Sequence, residues 1–158
     1  MRLVSIKSNA LSKYEVDPEF LKKSGRPCVL IVQLKYNGQR YNFAVPLRSN
    51  IPASSPKAEY FALPPRSTTQ SGNRHGIHYI KMFPVLRSET TIYRVAGNKQ
   101  AMLIKSIIDK NEKQIVNECQ AYLNSYSKET KSLYATDIDL LLEVVKVTQN
   151  KLATNNSK

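Results

Sequence analysis

Between Lys35 and Arg94 the chain carries nine basic side chains and only two acidic ones, Glu59 and Glu89. That imbalance removes several chemistries at once. Two-metal nucleases need clustered carboxylates and glycosidase-type hydrolases need two converging acids, and this segment supplies neither. His75 and His78 flank Gly76-Ile77 with no cysteine or carboxylate beside them in sequence, a poor ligand set for zinc. A structural or RNA-contacting role suits each better, with His78 also a candidate general acid or base. No G-x-S-x-G elbow, P-loop or dinucleotide fingerprint occurs. What remains is a metal-free reaction on a phosphodiester carried by Ser, Lys, Arg, Tyr or His. RNA supplies its own nucleophile, the 2′-hydroxyl. The protein then has to align it, assist proton transfer and stabilise a pentavalent phosphorane. The same charge fits a non-catalytic RNA-binding module equally well.

The elements that must position these groups are legible from pattern. Met1–Ser8 alternates polar and apolar residues as a short strand, and Pro27–Lys35 is a β-branched run suited to a central one. Asn37-Gly38 is a strong two-residue hairpin signal, with Tyr41–Leu47 as the returning strand. Asp17-Pro18 with Gly25 predicts one or two helical turns, Asp17 as N-cap. Residues 48–75, rich in Pro, Ser and Thr, read as mostly irregular, with a brief strand within Lys57–Leu63; Ser49 is expected in this loop. Ile77–Val85 and Glu89–Val95 read as two further strands. From Asn98 the apolar period becomes helical through Ala101, Ile104, Ile108, Ile115, Cys119 and Leu123, with a break near Asn111. A last helix covers Leu133–Leu152, capped by Thr136 or Asp137, and Asp137, Asp139 and Glu143 complement its dipole. Strands first and helices after give an α+β class. We expect one domain over 1–152, β-rich over 1–95 and helical over 98–152, and a flexible tail at 153–158.

The 158 residues carry a net charge of +12. Residues 1–95 hold a basic surplus of ten and residues 96–158 a surplus of two, so the excess is local, the mark of a polyanionic partner rather than of solubility alone. The balanced C-terminal helices disfavour a membrane-surface role, and no apolar run is long enough to span a bilayer. Cys28 and Cys119 lack CxxC spacing and read as buried thiols of a reducing, cytoplasmic compartment.

At Tyr41-Asn42-Phe43-Ala44-Val45-Pro46-Leu47-Arg48-Ser49 the sequence resembles the ToxN/AbiQ family, the toxins of type III toxin–antitoxin systems. That family reads an apolar strand, a hairpin, a Tyr, then Pro-Leu-Thr-Ser-Pro-Lys. Gly76–Val85 is similar to its strand ending in Met-Ile-Pro-Ile. Lys99, Lys105, Gln114 and Asn117 match the decoration of its long helix, and Leu141-Leu142-Glu143 resembles its terminal helix. Order and spacing over nearly the whole chain carry the likeness, which extends to the TenpN branch of the family. The resemblance implies a compact, strongly bent antiparallel sheet or barrel like that of the MazF/Kid toxins, with helices around it. It also implies a metal-independent endoribonuclease with no cofactor and a 2′,3′-cyclic phosphate product. Its implied partners are cellular RNA and an antitoxin RNA pseudoknot, cut from a repeat precursor and bridging protein copies; no membrane is involved.

On the matching positions, the resemblance implies Ser49 as the first active-site residue. Arg48 stands where the family has Thr, a guanidinium in place of a hydroxyl. Arg26 matches the basic residue that opens the central strand. The family's Lys shortly after the Ser has no direct match, and Lys57 is the nearest substitute. Tyr14 lies a few residues late for the family's early Tyr, a gap for Lys81 or His78 to fill. Lys35, Tyr36, Arg40, Arg66, Arg74, His75 and Arg87 complete the expected RNA-binding set. For Tyr36 and Tyr41 two readings stand, hairpin partners or base-stacking platforms.

Overall fold

The computed structural model describes residues 1–157. Strand β1 (Arg2–Ile6) is followed by helix α1 (Ser8–Tyr14), then by the long hairpin of β2 (Cys28–Tyr36) and β3 (Gln39–Ile51). Asn37 and Gly38 turn it with φ of 48° and 75°, the left-handed pair that two-residue turns between twisted strands demand. Short strands β4 (Tyr60–Leu63), β5 (Arg74–His78), β6 (Phe83–Pro84) and β7 (Thr90–Ile92) come next. Helices α2 (Lys99–Lys110), α3 (Glu112–Ser125) and α4 (Ile138–Asn156) complete the fold.

All the strand pairings are antiparallel, in the order β4-β5-β3-β2-β1-β7 with β6 also on β3. The class is α+β as expected. The sheet bends at bulges between Ile31 and Leu34 and between Arg48 and Ile51. It stays open rather than closing into a barrel, with β4 and β7 at its ends.

Alternation along the strands divides the core between two faces. Leu3, Val29, Ile31, Val45, Leu47 and Ile77 pack with Ile104, Ile108, Ile115 and Cys119 of α2 and α3. Val4, Cys28, Leu30, Ala44 and Phe83 pack with Ala10 and Tyr14 of α1. Helix α4 serves both, giving Ile138 and Leu142 to the first and Leu141 and Val145 to the second. Both cysteines are free and buried.

Several boundaries depart from the sequence reading. The helix predicted from Asp17 to Gly25 is absent: Asp17 accepts from the Glu19 amide at 2.9 Å and from the Asp137 amide at 2.7 Å, so it caps a turn and the approach to α4 instead. The helix here is α1, which has no side-chain N-cap to announce it. Ile77–Val85 is not one strand, because a 3-10 turn at Tyr79–Lys81 divides it. That turn is held by Thr136, whose amide donates to Ile80 O at 2.9 Å and whose hydroxyl donates to Met82 O at 2.5 Å. Within the 48–75 segment β3 runs on to Ile51. Helix α4 starts on Asp137, one of the two expected caps, rather than at Leu133, and continues to Asn156 through most of the expected tail; Lys158 lies outside the described residues.

Candidate active site

Arginines 26 and 48 meet because the β2–β3 ladder continues past its last apolar pair. Cys28 faces Pro46, and the Leu47 amide donates to Pro27 O at 2.9 Å. Arg26 lies two residues before Cys28, just outside β2, and Arg48 two residues beyond Pro46 in β3; the Arg26 Nη1 donates to Leu47 O at 3.3 Å. On the other side of β3, Arg48 pairs with Gly76 and Leu47 with Ile77, which puts His78 on the same face one row back. Lys81 follows in the 3-10 turn and completes the group.

Arg48 lies within electrostatic reach of each of the other three groups. Burial, then the neighbouring Arg48 charge, lowers the Arg26 guanidinium below its ordinary value, with Cys28 opposing. His78 is buried, and burial followed by the charges of Arg48 and Lys81 pushes its imidazole down to about 3. It is therefore neutral at physiological pH, a hydrogen-bonding group and not a charge. Burial also lowers the Lys81 ammonium, against the raising effect of Glu19. The Arg26 Nε and both His78 ring nitrogens are buried and make no hydrogen bond to the protein. Buried polar groups of that kind are satisfied by a ligand or water. Three cations with one ion-paired carboxylate, Glu19, form a cradle that a phosphate group would complete.

Ser49 follows Arg48 in the chain. It lies in β3, not in the expected loop, at the Arg48–Ile51 bulge, and its Oγ accepts from Thr68 Oγ1 at 3.1 Å. Asn50 holds the same 66–73 segment, accepting from the Gln70 amide at 2.7 Å and donating to Thr68 O at 3.0 Å.

The other predicted residues are dispersed. Lys57 is exposed and lines a groove of about 350 Å³ with Tyr60, Phe61, Gln114 and Glu118, none of them in the cationic group. His75 is buried, its Nδ1 2.7 Å from Pro64 O, and Arg66 is near enough to depress it further. Arg74 and Arg87 are exposed. Lys35 and Arg40 pair at the opposite, turn end of the hairpin, about 26 Å along β3 from Arg48 by strand rise. Tyr36 is no open stacking platform: it is 8% exposed, packs in the core and donates to Asp139 Oδ1 at 2.7 Å. Tyr14 is likewise buried, with its hydroxyl on Glu89.

Three contributors escaped the sequence reading. Glu19 was hidden by the helix expected there, although it is one of few acids in the basic half. Gly76 permits the approach of β4, since a Cβ on it would overlap the Phe61 carbonyl oxygen and lie 3.2 Å from its carbon. Tyr60, half-buried, pairs with His78 across β4–β5; only the strand register reveals it.

No family model matches the chain, and no curated protein matches it in sequence. Solved structures do match it in fold. One comes from a bacterial type III toxin–antitoxin system in which a non-coding RNA pseudoknot selectively inhibits the toxin. It is 18% identical with a TM-score of 0.70, over 94% of this chain and 97% of that one. A second belongs to a bacterial antiviral system regulated by a processed non-coding RNA, 18% identical with a TM-score of 0.65, over 90% and 96%. A third is AbiQ, a lactococcal anti-phage endoribonuclease of a type III toxin–antitoxin system, 15% identical with a TM-score of 0.71, over 94% and 98%. Over nine-tenths of its length the chain thus has the fold of these RNA-regulated toxin–antitoxin and antiviral proteins.

Proposed function

We propose that this chain is a ToxN/AbiQ-type toxin: an endoribonuclease, acting without a metal ion, that a small structured RNA holds in check. The observation that carries the reading is the grouping of Arg26, His78 and Lys81 around Arg48, on a fold held in common with an endoribonuclease. In this mechanism the RNA 2′-oxygen attacks the adjacent phosphorus and loses its proton. The bond to the 5′-oxygen breaks, that oxygen takes a proton, and a 2′,3′-cyclic phosphate remains. Arg26 and Arg48 stabilise charge on the non-bridging oxygens, where preorganised donors contribute most. Lys81 supplies the ammonium beside the leaving oxygen. Neutral His78 accepts a hydrogen bond from the 2′-hydroxyl, and the Ser49 hydroxyl orients the phosphate. The nearest carboxylate, Glu19, is tied to Lys81, and cations outnumber it in the group, which favours cation-based over metal-based chemistry.

The same face suits the antitoxin RNA, a pseudoknot cut from its repeat precursor and retained as product, bridging toxin copies. A second reading, a non-catalytic RNA-binding protein, is favoured by one observation: the Ser49 hydroxyl already has a protein partner in Thr68. Induction of wild type and Ser49→Ala in cells separates the two. Under the enzyme reading the wild type arrests growth and fragments RNA, while the folded variant does neither. If both proteins are harmless and the RNA stays whole, the binding reading takes its place.

A further inference from the structure

The Lys81 ammonium is 4% exposed and lies between two sets of charges. Arg48 on β3 repels it and His78 on β5 is neutral; Glu19 and Asp17, on the segment after α1, attract it. From the approach to α4 Thr136 reaches this turn, and it bonds to backbone carbonyls. Glu19 supplies two acceptors, its carboxylate Oε2 at 2.7 Å and its own backbone carbonyl at 3.0 Å. An ammonium has three donors, so one is left for a ligand. Glu19 in turn is fixed by Asp17. That carboxylate, 3% exposed, accepts from the Glu19 amide and the Asp137 amide, and so ties the loop to the start of α4.

We propose that Glu19 is a positioning residue for the phosphate face: held by Asp17, it keeps Lys81 charged and oriented beside Arg48 so that the third ammonium donor meets an RNA phosphate. The inference rests on the polyanion-binding reading above and adds the group that sets the protonation of that face. A buried ammonium next to a guanidinium loses its proton easily unless a carboxylate opposes the loss. Without the Glu19 charge, Lys81 becomes neutral at lower pH and the face drops from three cations to two.

The test measures binding of a mixed-sequence single-stranded DNA, which lacks the 2′-hydroxyl and is not cleaved, from pH 6 to 10. RNA cleavage is followed in parallel. Wild type is expected to bind well at pH 6 and to weaken along one alkaline limb. In Glu19→Gln that limb moves down by about one pH unit or more. Lys81→Arg, whose guanidinium does not titrate in this range, is expected to remove the limb, alone and combined with Glu19→Gln. An unmoved midpoint in folded Glu19→Gln, or a limb that persists in Lys81→Arg, overturns the proposal. The Lys81→Arg arm decides the matter if Glu19→Gln fails to fold. A wild type that shows the limb but cuts no RNA would sink the enzyme reading and leave this inference standing.

Discussion

Arg48 stands where the family pattern has a threonine, and His78 is one of two residues expected to fill the place of the family's early tyrosine. Arg48 adds a second guanidinium beside Arg26, a like-charge pair that is unfavourable until an anion arrives. Arg48→Ala should therefore leave the fold intact and slow RNA cleavage by about 10²–10³-fold, the range for loss of one transition-state donor. Arg48→Lys should recover only part, because an ammonium cannot take the bidentate geometry; single-turnover assays on both variants check this. His78, depressed to about 3, binds a proton near its ordinary value of about 6.5 when unfolded but not when folded. Its neutral state stabilises the protein fully above about pH 6.5. That contribution is lost as pH falls toward 3, with a slope of at most about 1.4 kcal/mol per pH unit. Urea unfolding between pH 4 and 8 should show a shallower acid loss in His78→Gln than in wild type. Neither property was readable from the chain alone: a lone histidine in a strand pattern carries no sign of what packs over it.

Elements legible in the sequence are those whose signal is local. The Asn37–Gly38 turn, the change of period at Asn98 and the break at Asn111, where the side chain donates to Ile107 O at 2.8 Å, all arise from neighbours in the chain. The failures have a common cause. Asp17 has the chemistry of a helix cap, but its second oxygen is claimed by the Asp137 amide, 120 residues away. The strand expected through Tyr79–Lys81 is broken by Thr136, also distant in sequence. The site inherits that limit. Arg26, Arg48 and Ser49 were legible because motif order marks them, whereas Lys81 could be named only as one of two substitutes and its partner Glu19 not at all. At this scale the β4–β5 approach makes a clear prediction. Gly76→Ala should destabilise by about 1–3 kcal/mol through overlap with Phe61 and reduce cleavage by shifting the strand that carries His78. Thermal melts and cleavage assays on the same sample check both effects.

Across the molecule, charge is arranged for a polyanion. Among the described residues the ion pairs use Lys13, Lys81, Lys105, Lys128, Lys146 and the N-terminal amine, and none uses an arginine. The guanidinium groups are thus without carboxylate partners among the described residues. Binding to single-stranded RNA should weaken linearly in log–log with salt, and each of Arg26→Ala and Arg48→Ala should lower the slope by about 0.7; filter binding across a salt series measures it. No helix is long and apolar enough to cross a membrane, and the basic half of the chain is the half that builds the site. The most direct test of the account is cleavage of a single-stranded RNA by purified protein in excess EDTA, with the new ends identified. The account predicts cutting without divalent metal, 2′,3′-cyclic phosphate ends, and a loss of at least about 10²-fold in Arg48→Ala. Tight, salt-sensitive binding with intact RNA, or cutting only when magnesium is restored, would contradict it.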